Sequence, residues 1–442
     1  MRQGQGYEMS RPDESARLQV ALDFVELDRA LQVAKEAAAG GGDILEAGTP
    51  LIKSVGLESV RRLRALFPKL TIAADMKVMD AGRVEVESAA KAGARIVHVL
   101  AAAPDATIAE CVAAGREYGA EIVADLLGAQ DPVARAQQVA KLGVDYIGVH
   151  TAIDMQMQGA DPFGLLRRLA EVVELTICVA GGIHSENAAQ AVEAGAAVVI
   201  VGGAISKATD ARAATEEIKR AITERISIPT RLFKRVSEEK IRDVLMLISA
   251  ANLSDAMHRR GVLQGIRPIA PGLKVVGRAL TVRTAPGDYA KPVEAIDQAR
   301  PGDVIVVEAG GVGPAIWGEM ASRSAVNKGV AGVVIDGAIR DSGDIRELGF
   351  PAFSRLICPN AGEPRGLGEI GVSITVGGEV VEPGDWVLGD DDGVVRIPRD
   401  QAAEWANRGM EWYERESRIR EEIIRGGTYG QLAELDKWEK PR

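Results

Sequence analysis

Eight short apolar segments recur through the first half of the chain, and their last residues are 21 to 30 positions apart. Alanine-rich stretches of helical periodicity, such as Asp28–Ala39 and Val84–Ala92, separate them. Strand–helix units repeated eight times at this spacing predict a (β/α)8 barrel with its active site at the carboxyl ends of the strands. The predicted strands are Leu18–Asp23, Asp43–Glu46, Thr71–Asp75, Ile96–Leu100, Ile122–Asp125, Tyr146–His150, Thr176–Ala180 and Ala197–Val201.

The length of the chain, 442 residues, predicts more than one domain. The strand–helix pattern stops after residue 225, where a stretch rich in charged and β-branched residues follows. We therefore predict an α/β protein with a disordered start (1–17), a TIM barrel (18–225), a linker (226–240) and a second α/β domain (241–442) that ends in a long charged helix.

Composition narrows the classes of partner. The formal net charge of −10 argues against nucleic acid as a main partner. The longest apolar run, Ala194–Ile205, is too short and too rich in glycine for a membrane span. Three widely spaced cysteines and a polar amino-terminal stretch favour a reducing, cytoplasmic setting without a signal peptide.

Ionisable residues stand at the ends of several predicted barrel strands. Asp23 ends the first strand, Glu46 the second and Asp75 the third, with Lys77 two residues further on and His150 at the end of the sixth. Two carboxylates on neighbouring strands, Glu46 and Asp75, suit a hard divalent cation, most simply Mg²⁺, with Mn²⁺ as an alternative. Lys77 can stabilise a developing oxyanion, and His150 can transfer a proton near neutral pH.

Paired glycines follow the last two barrel strands. Gly181 and Gly182 come after the seventh strand, and Gly202 and Gly203 after the eighth. Glycines let backbone N–H groups approach a phosphate, and barrels often bind phosphate at this place. Together with the strand-end residues, they predict metal-assisted enolate chemistry on a sugar phosphate.

The first half resembles 3-hexulose-6-phosphate synthase, a member of the orotidine-5′-phosphate decarboxylase superfamily. The similarity covers about residues 18–222, and the Asp75-x-Lys77-x-x-Asp80 element within a barrel is its most specific part. The segments that carry it are Ala21–Asp23, Glu46–Lys53, Ala74–Asp80, Gly148–Thr151, Val179–Ile183 and Val201–Ile205.

This resemblance implies reversible aldol addition of formaldehyde to ribulose 5-phosphate. It places Mg²⁺ on Glu46 and Asp75, the enediolate next to Lys77, the C1 proton on His150 and the phosphate at the two glycine pairs. Asp23 and Asp80 join the catalytic set by position in the matching motifs. In this superfamily the acid corresponding to Asp80 reaches into the neighbouring subunit, which implies a dimer.

Two relatives are the near alternatives. Orotidine-phosphate decarboxylases share the Asp-Lys-Asp element but have a lysine where Glu46 stands, and they use no metal. Keto-gulonate-phosphate decarboxylases share Glu46 and His150 but tend to have an arginine four residues after that histidine. Asp154 stands there in this chain, which favours the synthase.

The second half has strands joined by Pro-Gly turns and lacks the barrel repeat. A glycine-rich loop (310–313) leads to Gly318 and Glu319, and a predicted strand (330–336) leads to Arg340 and Asp341. Such a loop can bind a carboxylate, Arg340 can bind a keto-acid oxygen, and Asp341 can hold Mg²⁺. We assign Gly318 and Glu319 to substrate binding.

This half resembles the 4-hydroxy-4-methyl-2-oxoglutarate aldolase family, whose members include the regulator of ribonuclease E. The similarity covers roughly residues 245–398, through Ser254–Ala256, Gly277–Ala279, Gly318–Ala321, Gly329–Gly337 and Arg340–Asp341. It implies a swivelling β/β/α fold, a trimer, and metal-dependent aldolase or decarboxylase activity on a 2-oxo acid. The alternative is a non-catalytic regulatory or oligomerisation module. We predict a homo-oligomeric, bifunctional lyase acting on small molecules.

Overall fold

The computed structural model describes residues 16–230 and 240–432. The described residues form two compact units, one comprising 16–156, 160–230 and 417–432, the other 157–159 and 240–416. The predicted disordered start therefore lies outside the described residues up to position 15, and residues 231–239 of the predicted linker lie outside them too. Arg17, assigned to that start, is the first residue of a strand.

The first unit is a closed barrel of eight parallel strands in sequential order. Its strands are β1 Arg17–Leu22, β2 Ile44–Ala47, β3 Thr71–Val78, β4 Ile96–Leu100, β5 Glu121–Asp125, β6 Tyr146–His150, β7 Thr176–Ala180 and β8 Val198–Val201. Its helices are α1 Leu27–Ala39, α2 Thr49–Val55, α3 Glu58–Leu66, α4 Gly82–Ala92, α5 Asp105–Tyr118, α6 Pro132–Lys141, α7 Ile153–Met157, α8 Phe163–Ala170, α9 Ala188–Glu193, α10 Gly203–Ser206 and α11 Ala211–Glu224. The predicted (β/α)8 barrel is confirmed.

Alternation along the strands divides the apolar side chains between two cores. In β1, Leu18, Val20 and Leu22 pack outward against the helices, and Ala21 belongs to the smaller cluster inside the barrel. Successive side chains of a strand point to opposite faces, so every strand supplies both layers. This packing holds the strand ends, and the polar residues on them, in fixed positions.

The second unit contains a mixed sheet flanked by helices, so the α/β prediction is also confirmed there. The order of its main strands is β18-β17-β10-β11-β12-β13-β9, with β14 beside β10 and β15 paired with β16. Its strands are β9 Arg267–Pro268, β10 Val275–Thr284, β11 Val304–Glu308, β12 Gly332–Ile339, β13 Ala352–Ile357, β14 Gly368–Ile370, β15 Ile374–Val376, β16 Glu379–Val381, β17 Trp386–Asp390 and β18 Gly393–Ile397. Its helices are α12 Ile241–Leu247, α13 Ala250–Ala256, α14 Ala290–Gln298, α15 Glu319–Asn327 and α16 Ser342–Leu348; α17 Ala402–Ile424 and α18 Tyr429–Leu432 end the described chain.

Strands β10 to β13 are parallel, and the strands at both edges are antiparallel. Ile305 and Val307 of β11 pack on one face of the sheet, and Val304 and Val306 pack on the other. Both faces are buried, as parallel strands require. Strand β12 extends three residues beyond the predicted end at 336, so Arg340 follows it directly.

The predicted long charged helix at the carboxy terminus is α17, and part of it is buried. Within the first unit, the guanidinium of Arg418 is buried, pairs with Glu36 and donates to the carbonyl oxygens of Ala208 and Thr209. Within residues 16–230 and 240–432, none of the helices combines the length and the hydropathy needed to cross a membrane.

Candidate functional site

Four ionisable side chains from three barrel strands form one connected chain of contacts. Lys77 Nζ lies 2.8 Å from Asp75 Oδ2 and 3.5 Å from Asp125 Oδ2. The same Asp125 oxygen lies 3.0 Å from His150 Nδ1. Asp125 is almost fully buried, and its other oxygen accepts from the backbone N–H of Leu127. The structure thus joins Asp75, Lys77 and His150 through Asp125, which the sequence placed at the end of β5 without a role.

The backbone of β3 is irregular where it presents this lysine. Pairing between β3 and β4 shifts register between Ala74 and Val78, and Lys77 has a φ of 47°. Left-handed backbone is costly for a residue with a side chain, and such outliers cluster at functional sites. In a regular strand, residues two positions apart such as Asp75 and Lys77 lie on one face. They do meet, but through a bulge rather than a regular strand.

A second set of contacts surrounds Glu46. The Gln19 side chain, which is 1% exposed, donates to Glu46 Oε2 at 2.6 Å and lies 3.2 Å from His98 Nε2. Gln19 was not predicted as a site residue, although the period of two in β1 puts its side chain on the same side as those of Ala21 and Asp23. His98 is buried as well.

Two further residues complete this end of the barrel. Thr49 Oγ1 donates to Asp75 Oδ2 at 2.7 Å and to the Asp75 carbonyl oxygen, so it fixes that carboxylate. Thr49 lies in the matching segment Glu46–Lys53, but the sequence did not indicate this role for it. Asp23 lies at the open mouth, where a Cβ added at Gly48 would come within 2.2 Å of Asp23 Oδ1.

Burial and crowding of acids control the charge states. Burial, together with the carboxylates of Asp75 and Asp23, raises the pKa of Glu46 well above its ordinary value. Desolvation by the surrounding protein and the nearby Asp75 raise the pKa of Asp23, although solvent reaches its side chain. Burial would raise the pKa of Asp125, but its bond to His150 and the charge of Lys77 lower it to about 2. Burial opposes the charge on Lys77, but Asp75 and Asp125 outweigh it and raise the Lys77 pKa.

Glu46 and Asp75 offer the carboxylate oxygens that a divalent cation prefers as ligands. Across the described ranges, no group of three or more His, Cys, Asp or Glu side chains is placed to hold a metal. Mg²⁺ commonly takes only one or two carboxylates and completes its shell with water and substrate oxygens. Burial first, and then the carboxylates of Asp75 and Asp23, raise the pKa of Glu46, so these acids are close enough to interact. Glu46 and Asp75 therefore fit a two-carboxylate magnesium site.

The glycine pairs lie where the chain approaches itself closely. Gly181 has a φ of 110°, and a Cβ there would lie 2.7 Å from the Thr151 carbonyl oxygen. Gly182 also has a positive φ, of 72°. Gly202 precedes α10 and Gly203 begins it. Both pairs thus follow the carboxyl ends of β7 and β8, as the sequence predicted.

Asp80 stands apart from these contacts. It lies beyond the end of β3, is exposed, and accepts the N–H of Ala81. In the part of the chain that the structure describes, no hydrogen bond or ion pair joins Asp80 to Asp75 or Lys77.

The second unit brings its four predicted residues together. Asp341 Oδ2 accepts the backbone N–H of Glu319 at 3.2 Å and lies 3.5 Å from Arg340 Nε. A Cβ added at Gly318 would lie 2.5 Å from the same oxygen, so only glycine permits this approach. Asp341 has a φ of 55°. The Asp341 carboxylate is partly exposed and lies beside the cationic Arg340. Asp341 can therefore hold a metal ion while Arg340 binds a small anionic ligand.

A second acid lies near the glycine-rich loop of this unit. Asp336 pairs with Arg355 Nε at 2.5 Å and accepts the N–H of Gly377 at 2.9 Å. A Cβ added at Gly311 would lie 3.5 Å from Asp336 Oδ1. The sequence placed Asp336 at the end of a strand but did not indicate its partner Arg355, which lies on β13, a strand missed from the sequence.

The first unit is a (β/α)8 barrel with a cluster of acids, a lysine and a histidine at the carboxyl ends of its strands, the place where barrel enzymes have their active sites. Through residues 16–218 the chain belongs to the Orotidine 5′-phosphate decarboxylase / HUMPS family. Residues 250–396 match the Aldolase/RraA family, so the chain joins an N-terminal domain of the first family to a C-terminal RraA-like domain.

Each of the following relatives matches one half of the chain. The 3-hexulose-6-phosphate synthase of Methylomonas aminofaciens is 42% identical over 204 residues, which is 46% of this chain and 97% of the relative. The synthase of Mycobacterium gastri is 40% identical over 207 residues, 47% of this chain and 99% of the relative. A solved structure of Streptomyces coelicolor RraAS2, described as an unusual member of the RNase ES inhibitor RraA family, is 33% identical and covers 42% of this chain and all of that one (100%), with a TM-score of 0.38.

Proposed function

We propose that the barrel catalyses the reversible, Mg²⁺-dependent aldol addition of formaldehyde to ribulose 5-phosphate, giving 3-hexulose 6-phosphate. The observation that carries this proposal is the shared carboxylate of Asp125, which holds Lys77 and His150 side by side next to Asp75. Similarity to 3-hexulose-6-phosphate synthases over nearly their whole length supports the choice of substrate.

The residues have distinct tasks in this reaction. With its proton on Nδ1, His150 donates to Asp125 and keeps Nε2 free of that proton, so Nε2 can accept the C1 proton of the sugar. The electron pair left behind attacks the carbonyl carbon of formaldehyde, so a new C–C bond forms and the C=O π bond breaks. The proton that His150 took from C1 then returns to the resulting alkoxide. The ammonium of Lys77 stabilises the negative charge that develops on the sugar oxygens.

Magnesium, with Mn²⁺ as an alternative, would be held by Glu46 and Asp75. When bound, it supplies a Lewis acid for the two adjacent oxygens of the ketose. Gln19 and Thr49 orient the two carboxylates through the hydrogen bonds described above. The decarboxylase alternatives are less favoured because Glu46 replaces the lysine of the metal-free enzymes and Asp154 replaces the arginine of the keto-gulonate enzymes.

We also propose that the barrel is a dimer and that Asp80 serves the partner's site. Asp80 is exposed, and two apolar side chains near it, Met79 and Val84, are 48% and 63% exposed, so a partner surface can cover this stretch. A trimer of the second unit follows from the family resemblance alone.

A direct assay tests the barrel proposal. The full chain, supplied with ribulose 5-phosphate, formaldehyde and Mg²⁺, is expected to consume formaldehyde; EDTA should stop the reaction and added Mg²⁺ restore it. The Asp75→Ala variant should lose at least about 100-fold in kcat, because both the cation and Lys77 lose a partner. Asp43→Ala, an acid at the amino end of β2, is the matched control. Absence of consumption, or full activity in Asp75→Ala, would contradict the proposal.

For the second unit we propose metal-dependent aldolase or decarboxylase activity on a 2-oxo acid, with the regulatory module as the alternative. The catalytic role is supported by the approach of Arg340 Nε and the Glu319 N–H to the same oxygen, Asp341 Oδ2. With Mn²⁺ or Mg²⁺, the full chain should release pyruvate from oxaloacetate, and Arg340→Ala should lower that rate about 100-fold while leaving formaldehyde consumption unchanged. Lack of pyruvate release in the parent protein would favour the regulatory role.

A further inference from the structure

One cationic side chain at the carboxyl end of the barrel has no task in the reaction described so far. Lys207 follows α10, and its side chain folds back over the first residue of that helix. A Cβ added at Gly203 would lie 3.4 Å from Lys207 Cε and 3.5 Å from Nζ. The half-buried ammonium therefore lies against the second glycine of the pair after β8.

The first glycine of the pair has an acid as its neighbour. A Cβ added at Gly202 would lie 3.2 Å from Asp23 Oδ2. An anion that approaches the pair is thus repelled by the Asp23 carboxylate and attracted by Lys207. With no side chain at position 203, the ammonium is also within reach of a group that lies directly on the backbone.

The number of acids at the site also favours a second cation near the phosphate. Asp23, Glu46, Asp75 and Asp125 are four acids in or beside one cluster, and Lys77 is the lysine in contact with two of them. A sugar phosphate adds a group with a charge of about −1.5 to −2. A second cation at the phosphate end would offset this repulsion, and lysine serves as such a point charge for phosphate in many proteins.

We propose that Lys207 binds the phosphate group of the sugar substrate, beside Gly202 and Gly203. This inference rests on the proposed function, because that function makes a sugar phosphate the substrate. Lys207 touches the non-reacting end of the substrate, so it contributes to binding rather than to the chemical step. The glycine pairs alone, as inferred from the sequence, would leave the phosphate without a positively charged side chain.

Steady-state kinetics on the full chain tests the role of Lys207. In Lys207→Met we expect the KM for ribulose 5-phosphate to rise about 10- to 100-fold with little change in kcat, the loss typical of a hydrogen bond to a charged group. Inorganic phosphate, used as a competitive inhibitor, should weaken by a similar factor. Lys207→Arg should recover most of the affinity. The control is Lys141→Met, which removes an exposed lysine at the end of α6 and should leave both constants unchanged.

Unchanged KM and unchanged phosphate inhibition in an active Lys207→Met protein would overturn the inference while leaving the proposed function in place. If the parent protein does not consume formaldehyde, the proposed function fails, and calorimetric titration with inorganic phosphate then decides the role of Lys207. Binding lost in Lys207→Met and kept in Lys141→Met supports phosphate binding by this lysine. Equal binding in both variants rejects it.

Discussion

Replacing Asp125 with asparagine is expected to lower kcat for formaldehyde addition by about 100- to 10,000-fold. The Asp125 carboxylate accepts from both His150 Nδ1 and Lys77 Nζ through one oxygen. An amide is uncharged and has one accepting oxygen: if that oxygen faces His150 and Lys77, the NH₂ group meets the Leu127 N–H that Oδ1 now accepts, and if the amide turns over, the NH₂ group meets His150 and Lys77 instead. The measurement is the initial rate at saturating ribulose 5-phosphate.

Glu121→Gln is the matched control for this variant. Glu121 lies at the opposite end of β5, where it pairs with Arg95 and accepts from Tyr146, far from the strand ends that carry the site. Its kcat should stay within about threefold of the parent value. Thermal unfolding of both variants shows whether the barrel is intact. A folded Asp125→Asn protein with a kcat similar to that of Glu121→Gln would refute the role given to Asp125.

Gly362→Ala is expected to destabilise the second unit by about 3 kcal/mol, lowering its unfolding midpoint by about 6–12 °C. A Cβ at this position would lie 1.7 Å from the carbonyl oxygen of Gly287 and 2.5 Å from its carbonyl carbon. These are backbone atoms held by hydrogen bonds, since Gly362 N–H donates to Ala315 and Glu363 N–H donates to the same Gly287 oxygen. The clash cannot be relieved by rotating a side chain. Calorimetry of the full chain measures the shift.

Gly343→Ala provides the comparison within the same unit. Gly343 lies in α16, and a Cβ there would meet no atom within 4 Å. Alanine is preferred over glycine in helices, so the free energy of unfolding should stay the same or rise by up to about 1 kcal/mol. The unfolding midpoint should therefore not fall. A similar loss in both variants would show that the clash at position 362 is not what decides the outcome.

Part of the candidate site could be predicted because strand ends in a barrel share one face. Glu46, Asp75, Lys77 and His150 were placed there from spacing alone, and the structure brings them to the same end. Gln19 could have been found from alternation in β1. Thr49 and Lys207 could not, because Thr49 begins α2 and Lys207 follows α10, and the paths of these short helices depend on tertiary packing.

In the second unit the sequence predicted strands that match β10, β11, β12, β15 and β17, and it missed five others, among them β13 and β18. The missed strands have two to six residues, so their local patterns are too short to stand out. Arg355, which pairs with Asp336, was missed for this reason.

The sequence by itself determined the barrel, because eight strand–helix repeats are a local property that survives in the order of residues. It also determined which ionisable residues reach the active end, because parallel strands all finish there. Only the tertiary structure decided that Asp125 is shared by Lys77 and His150, and that Lys207 folds over Gly203. Such contacts depend on the bulge in β3, the register of neighbouring strands and the closure of the sheet, and no single segment encodes these.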